Sequence, residues 1–254
     1  LASGNGIVLP SFVSKSNDMG PLPLYVSLLF GLTVALTIYL FYKAAHSSRV
    51  FLTMAIVWVA IQTIPGLSGF YHLSEDTPPN LPLLVLPPIV LMIILFLTQR
   101  GRLFIDGLST AKLTQLHSVR VLVELVFYFL FINKYVPKIM TFEGRNIDML
   151  FGLTAPLVYY FGFEKKRLSH TILIAWNLIG FLLVMNAVML AVLSIPQNFR
   201  RIGVEQPDIA LGLFPFILLP AVVVPIVLFS HLASIRQLIK RKSLDTPVLN
   251  PTMR

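Results

Sequence analysis

Apolar residues along this 254-residue chain gather into seven long blocks separated by short polar connections. The blocks run Leu22–Lys43, Val50–Phe70, Leu81–Thr98, Val119–Val136, Ile147–Phe163, Thr171–Ile195 and Ile209–Ala233. None alternates with the two-residue period of a barrel strand. About 20 apolar residues in helical form cross a hydrocarbon core of about 30 Å, and each block reaches or approaches that length. Lipid offers the backbone no hydrogen-bond partners, so the blocks must be helices. The pattern predicts an all-α, polytopic integral membrane protein with seven transmembrane helices in a single bundle over residues 21–242. Residues 1–20 are polar, without the apolar middle of a signal peptide, and read as a mobile extracytoplasmic tail. Residues 243–254 read as a disordered cytoplasmic tail.

Composition supports this class. Hydrophobic residues make up 56% of the chain, charged residues 12%, and the mean hydropathy is +0.80. Soluble domains carry about 25% charged residues. The chain has no cysteine, which removes disulfides, thiolate nucleophiles and Cys-ligated metals.

The net charge of +9 is a topology signal. Connections following the odd-numbered blocks hold 14 basic and three acidic residues; the opposite side holds six basic and seven acidic. Basic residues stay cytoplasmic during insertion, so the N-terminus is expected outside and the C-terminus inside. The expected location is a prokaryotic cytoplasmic membrane. The expected partners are the bilayer, its anionic inner-leaflet lipids and an unidentified small molecule, with no nucleic acid. The longest inside connection, Gln99 to Ser118, mixes Leu103, Phe104, Leu108 and Leu113 with charges and suits a short interfacial helix. The outside connection Ser74–Asn80 is a turn cluster with Glu75, Asp76, Pro78 and Pro79.

Prolines interrupt blocks 3 (Pro82, Pro87, Pro88), 5 (Pro156) and 7 (Pro215, Pro220, Pro225). Each removes a backbone donor and crowds the carbonyl four residues earlier, so these helices are expected to kink or break. Three fragments also recur in order. Tyr39-Leu40-Phe41 echoes Tyr159-Tyr160-Phe161, Arg49 with Trp58 matches Arg167 with Trp176, and Pro88-Ile89-Val90-Leu91 matches Pro225-Ile226-Val227-Leu228. A 3+1+3 arrangement of this kind resembles, in topology, that of the SWEET sugar transporters and the bacterial nicotinamide riboside transporters. None of those families' residue motifs is present.

The candidate chemistry lies in blocks 4 to 6. His117, Arg120 and Glu124 fall at i, i+3 and i+7, one helix face. Glu124 lies about 10 Å inside the span. Spacing gives it Arg120 as a partner, and the pair is either structural glue or a proton- or substrate-binding site. Before block 5, Arg145, Asn146 and Asp148 either cap the helix or form an outward vestibule for an acidic ligand. Asn177 suits interhelical hydrogen bonding, and Trp176 either packs or walls a cavity. No histidines sit at a metal-ligand spacing, so no metal and no cofactor is expected. Block 7 lacks the lysine of a microbial rhodopsin. Gly66-Leu67-Ser68-Gly69 fits the short rhomboid-protease pattern, but Ser68 and the inner histidines sit at opposite ends of the span. No catalytic residue is assigned. These features favour a small-molecule transporter or exchanger; a membrane sensor or accessory subunit comes second and an intramembrane enzyme third.

Overall fold

The computed structural model describes residues 21–73, 80–195 and 208–245. The tail at 1–20, the chain beyond 245 and residues 74–79 of the expected turn cluster lie outside the described residues.

Nine α-helices are present among the described residues, and no strand. They are α1 (Leu24–Ala44), α2 (Arg49–Leu67), α3 (Pro82–Leu97), α4 (Gln99–Gly107), α5 (Thr110–Leu116), α6 (Val119–Ile132), α7 (Asp148–Tyr159), α8 (His170–Ser194) and α9 (Val224–Asp245). Local chemistry sets several starts. Side chains of Ser48, Thr98 and Ser169 accept from the backbone N–H of Phe51, Gly101 and Ile172, each three residues on, opening α2, α4 and α8. Helix α9 runs to Asp245 and so takes in the first three residues of the expected tail, 243–245; the rest of it lies outside the described residues.

The burial pattern is that of a protein solvated by lipid. Helix α2 buries only Gln62 and Gly66, while Val50, Met54, Ile56, Val57, Ile61, Ile64 and Leu67 are at least half exposed. A water-soluble helix would present the opposite face outward. Gln62 is turned inward to accept from the Tyr71 hydroxyl at 2.6 Å.

Five helical stretches among the described residues are long and apolar enough to cross a membrane: α1, α2, α5–α6 taken together, α8, and Leu219–Ser243. The pair α3–α4 makes a sixth if counted as one span bent by 94°. The seven blocks therefore yield five or six such stretches by length and composition. Block 5 departs most: α7 has 12 residues and ends in a five-residue π-turn, Tyr160–Glu164. Pro156 lies one turn before that π-turn and removes a helical donor there.

The α3–α4 bend is not at a proline. Pro87 and Pro88 lie inside α3, and the chain turns at Thr98, whose backbone is extended. Gly101 allows the bend, because a Cβ there would run into the backbone of Leu95. Helix α4 is then tied to α9. Asp106 accepts from Arg236 at 2.9 and 3.2 Å and from Lys240 at 2.9 Å. Gln237 donates to the carbonyls of Ile105 and Leu108 and accepts from Thr110.

Block 7 is not one rod. It contains a 3-10 turn (Ala210–Gly212), a cis Phe214–Pro215 peptide, a π-turn (Leu219–Val223) and then α9. Pro220 lies within the π-turn and Pro225 opens α9, as the proline spacing predicts.

Candidate functional site

Seven buried polar side chains converge where α5, α6, α7, α8 and α9 meet. His117 follows α5, Arg120 and Glu124 lie on α6, Asn146 and Asp148 at the start of α7, Asn177 on α8 and His231 on α9. All seven are buried, none more than 8% exposed.

Arg120 is the hub. Its Nε donates to Asp148 Oδ2 at 2.6 Å, and its Nη2 pairs with the other carboxylate oxygen, giving the two-pronged geometry a guanidinium favours. Nη2 also donates to the Gly180 carbonyl at 3.3 Å. Nη1 lies 3.2 Å from His231 Nε2. The Phe151 ring covers the guanidinium at 4.5 Å.

This corrects the pairing expected from sequence. Arg120 does not take Glu124 one turn away as its partner; it reaches across to Asp148 on α7. Spacing within one helix brings side chains near each other, but the N-terminus of α7 offers a carboxylate in line with the guanidinium fork. Glu124 instead accepts from the Asn146 amide through Oε1. Asn146 also donates to the Met140 carbonyl at 3.1 Å and accepts from the Asp148 N–H at 3.3 Å. Asn146 thus serves one first-turn donor of α7 from the residue before the N-cap, Ile147, which makes no side-chain cap bond, and the Asp148 carboxylate is turned to Arg120. Arg145 stays exposed, outside the cluster, its carbonyl accepting from Asn186.

His231 is the residue that sequence reasoning left out of the site. Arg120 can only donate, so His231 Nε2 accepts and Nδ1 carries the proton, which goes to Asn177 Oδ1 at 3.0 Å. Asn177 in turn donates to Leu173 at 2.9 Å. The imidazole of His117 stacks on that of His231, centroids 3.7 Å apart and planes within 10°. Neither His117 nitrogen has a hydrogen-bond partner among the described residues. The available signal was a histidine inside an otherwise apolar block, beside Ser230 and Ser234. Trp176 closes one side, stacked on Phe151 at 4.4 Å and donating to Thr154 at 3.0 Å. Gly180 lets α8 come this close, since a Cβ there would strike the rings of Phe151 and His231.

No group of three or more His, Asp or Glu side chains among the described residues is placed to hold a metal ion. Two cavities flank the bundle, of about 370 and 360 Å³, and none of the clustered polar residues lines either. The larger is almost wholly apolar and lies between α2, α3 and α9.

Residues 78–239 match the family model described as "Domain of unknown function (DUF8737)", more than half of the chain, and the chain belongs to that family. No curated protein and no solved structure matches it.

Proposed function

We propose that the chain is a membrane carrier of a small solute, with the His117–Arg120–Glu124–Asp148–His231 cluster as its closed central site. In this reading all seven blocks are threaded through a prokaryotic cytoplasmic membrane, N-terminus out and C-terminus in. One observation carries it. Both nitrogens of His117 are buried polar atoms without a hydrogen-bond partner among the described residues. Leaving such atoms unsatisfied costs about 1–3 kcal/mol each. Ionisable side chains within membrane spans mark substrate and proton pathways more often than scaffolding. The interruption of block 7 ahead of α9, which supplies His231, is the kind of discontinuity that secondary transporters use near their sites.

The sensor or accessory-subunit reading draws on a different observation. Arg120 is fully engaged, and neither cavity reaches the cluster. A static bundle would have that appearance permanently, and a carrier only in its closed state.

Because the chain lacks cysteine, one substitution separates the two. Ala155 is fully buried on α7, on the same face as Asp148 and Phe151. In Ala155→Cys, a membrane-impermeant thiol reagent should label the new cysteine from each side of sealed vesicles, as alternating access requires. Cysteine that stays unreactive from both sides, while an exposed control at Ser68 reacts, would replace the carrier with the static reading.

A further inference from the structure

The larger cavity points to a second site, independent of the polar cluster. Its walls include Phe51 and Met54 of α2, Leu91 and Leu95 of α3, and Phe229 of α9, with Phe104 of α4 at one end. Its volume, about 370 Å³, lies within the range of about 300–1,000 Å³ typical of ligand sites. Ser48 contributes the one hydroxyl in the lining. A polar solute would find almost nothing to bond there; a hydrocarbon chain would.

The rim differs from the walls. Ser48 and Val50 both line the cavity, and between them stands exposed Arg49. At the same end, α4 turns away from α3 by 94° and carries exposed Arg100 and Arg102 just before the lining residue Phe104. The ion pairs of Asp106 with Arg236 and Lys240 fix α4 in that crosswise position. Three exposed arginines thus lie within two residues of lining positions, or one turn before Phe104, at this end of an apolar slot among lipid-exposed helices. Guanidinium binds phosphate in a forked geometry, and a cationic rim discriminates by headgroup charge.

We infer that this slot is a specific site for an anionic phospholipid, with an acyl chain between α2 and α3 and the phosphate against Arg49, Arg100 and Arg102. The source of the ligand is the bilayer itself. This assignment does not depend on whether the polar cluster transports anything.

Native mass spectrometry of the full chain, delipidated in detergent, tests it with dioleoyl phosphatidylglycerol against dioleoyl phosphatidylcholine. Wild type should retain the glycerol lipid at collision energies that strip the choline lipid. Met54 and Leu91 are 50% and 41% exposed, so tryptophan at either has room to grow into the slot without disturbing the core. Met54→Trp should lower phosphatidylglycerol affinity at least tenfold; Leu91→Trp is the second filling variant should the first not fold. Arg49→Gln with Arg100→Gln should lower the preference for phosphatidylglycerol by roughly fivefold per residue while choline lipid binding persists. Equal retention of the two lipids by wild type, unchanged phosphatidylglycerol binding in the filled variants, or a lipid-free dimer that the filling variants disrupt would each overturn the site.

Discussion

The indole Nε1 of Trp58 donates to the carbonyl of Ala221 at 2.9 Å. That carbonyl sits four residues before Pro225, where the helical donor is missing. A side chain of α2 thus satisfies the acceptor that a proline leaves free in the adjoining π-turn. Lipid could not do this, and the arrangement explains how block 7 tolerates its interruption.

Trp58→Phe should therefore strand the Ala221 acceptor and lower stability by about 1–3 kcal/mol. In a Pro225→Ala background the helix regains its own donor, and the same change should cost markedly less. Thermal unfolding of the four proteins in detergent measures this coupling; strictly additive effects would mean that the indole does not serve the proline.

Glu124 and Asp148 should behave differently, although both are buried acids near Arg120. Asp148→Asn leaves the guanidinium buried without its carboxylate and should cost about 3–5 kcal/mol. Glu124→Gln keeps the oxygen that accepts from Asn146 and removes a charge Arg120 does not bond, so it should fold with stability within about 1 kcal/mol of wild type. Urea or thermal unfolding that ranked the two the other way would return Arg120 to Glu124.

Gly180 is required by packing, not by backbone conformation. Gly180→Ala should push the Phe151 and His231 rings apart and destabilise by about 1–3 kcal/mol. Gly31→Ala is the control: nothing lies within 4 Å of its Cβ position, so it should gain about 0.5–1 kcal/mol from helix propensity. Differential scanning fluorimetry of the two variants should move the melting temperature in opposite directions.

Asp208 gives stability a pH dependence. Burial pushes its carboxyl up to about 7, against the N–H groups of Leu211 and Ala210, which favour the ionised form. An acid whose folded pKa is raised binds its proton more tightly in the folded chain. Its stabilising contribution is present below about pH 4 and is lost as pH rises through about 7. Asp208→Asn keeps an oxygen for the Leu211 N–H, 3.3 Å away, and cannot ionise. It should unfold with a flatter pH profile from pH 4 to 8 and be the more stable protein at pH 8. An unchanged profile would place the titration elsewhere.

The proposed orientation has its own test. A reporter active only in the cytoplasm should work when fused after Arg254 and fail when fused at Asn80, since, with buried Arg120 left out of the 14, 13 basic residues fall on the side assigned to the cytoplasm and six on the other. The reverse activity would invert the bundle.

Helix positions were legible in the sequence because each depends on local apolar content. Block Leu22–Lys43 became Leu24–Ala44, Thr171–Ile195 became His170–Ser194, and the connection after Thr98 became a short crosswise helix. The interruption of block 7 was legible for the same reason: a proline acts on its own backbone, whatever surrounds it. The membrane class followed from composition, and the inverted burial of α2 agrees with it. Partnership across helices was not legible. Spacing on one helix put His117, Arg120 and Glu124 on a common face but could not say which helix that face meets. Packing α6 against α7 gave Arg120 to Asp148, and bringing α9 against α5 laid His231 on His117. Which carboxylate neutralises a buried guanidinium depends on the distance and angle between separate rods, and only the assembled bundle sets those.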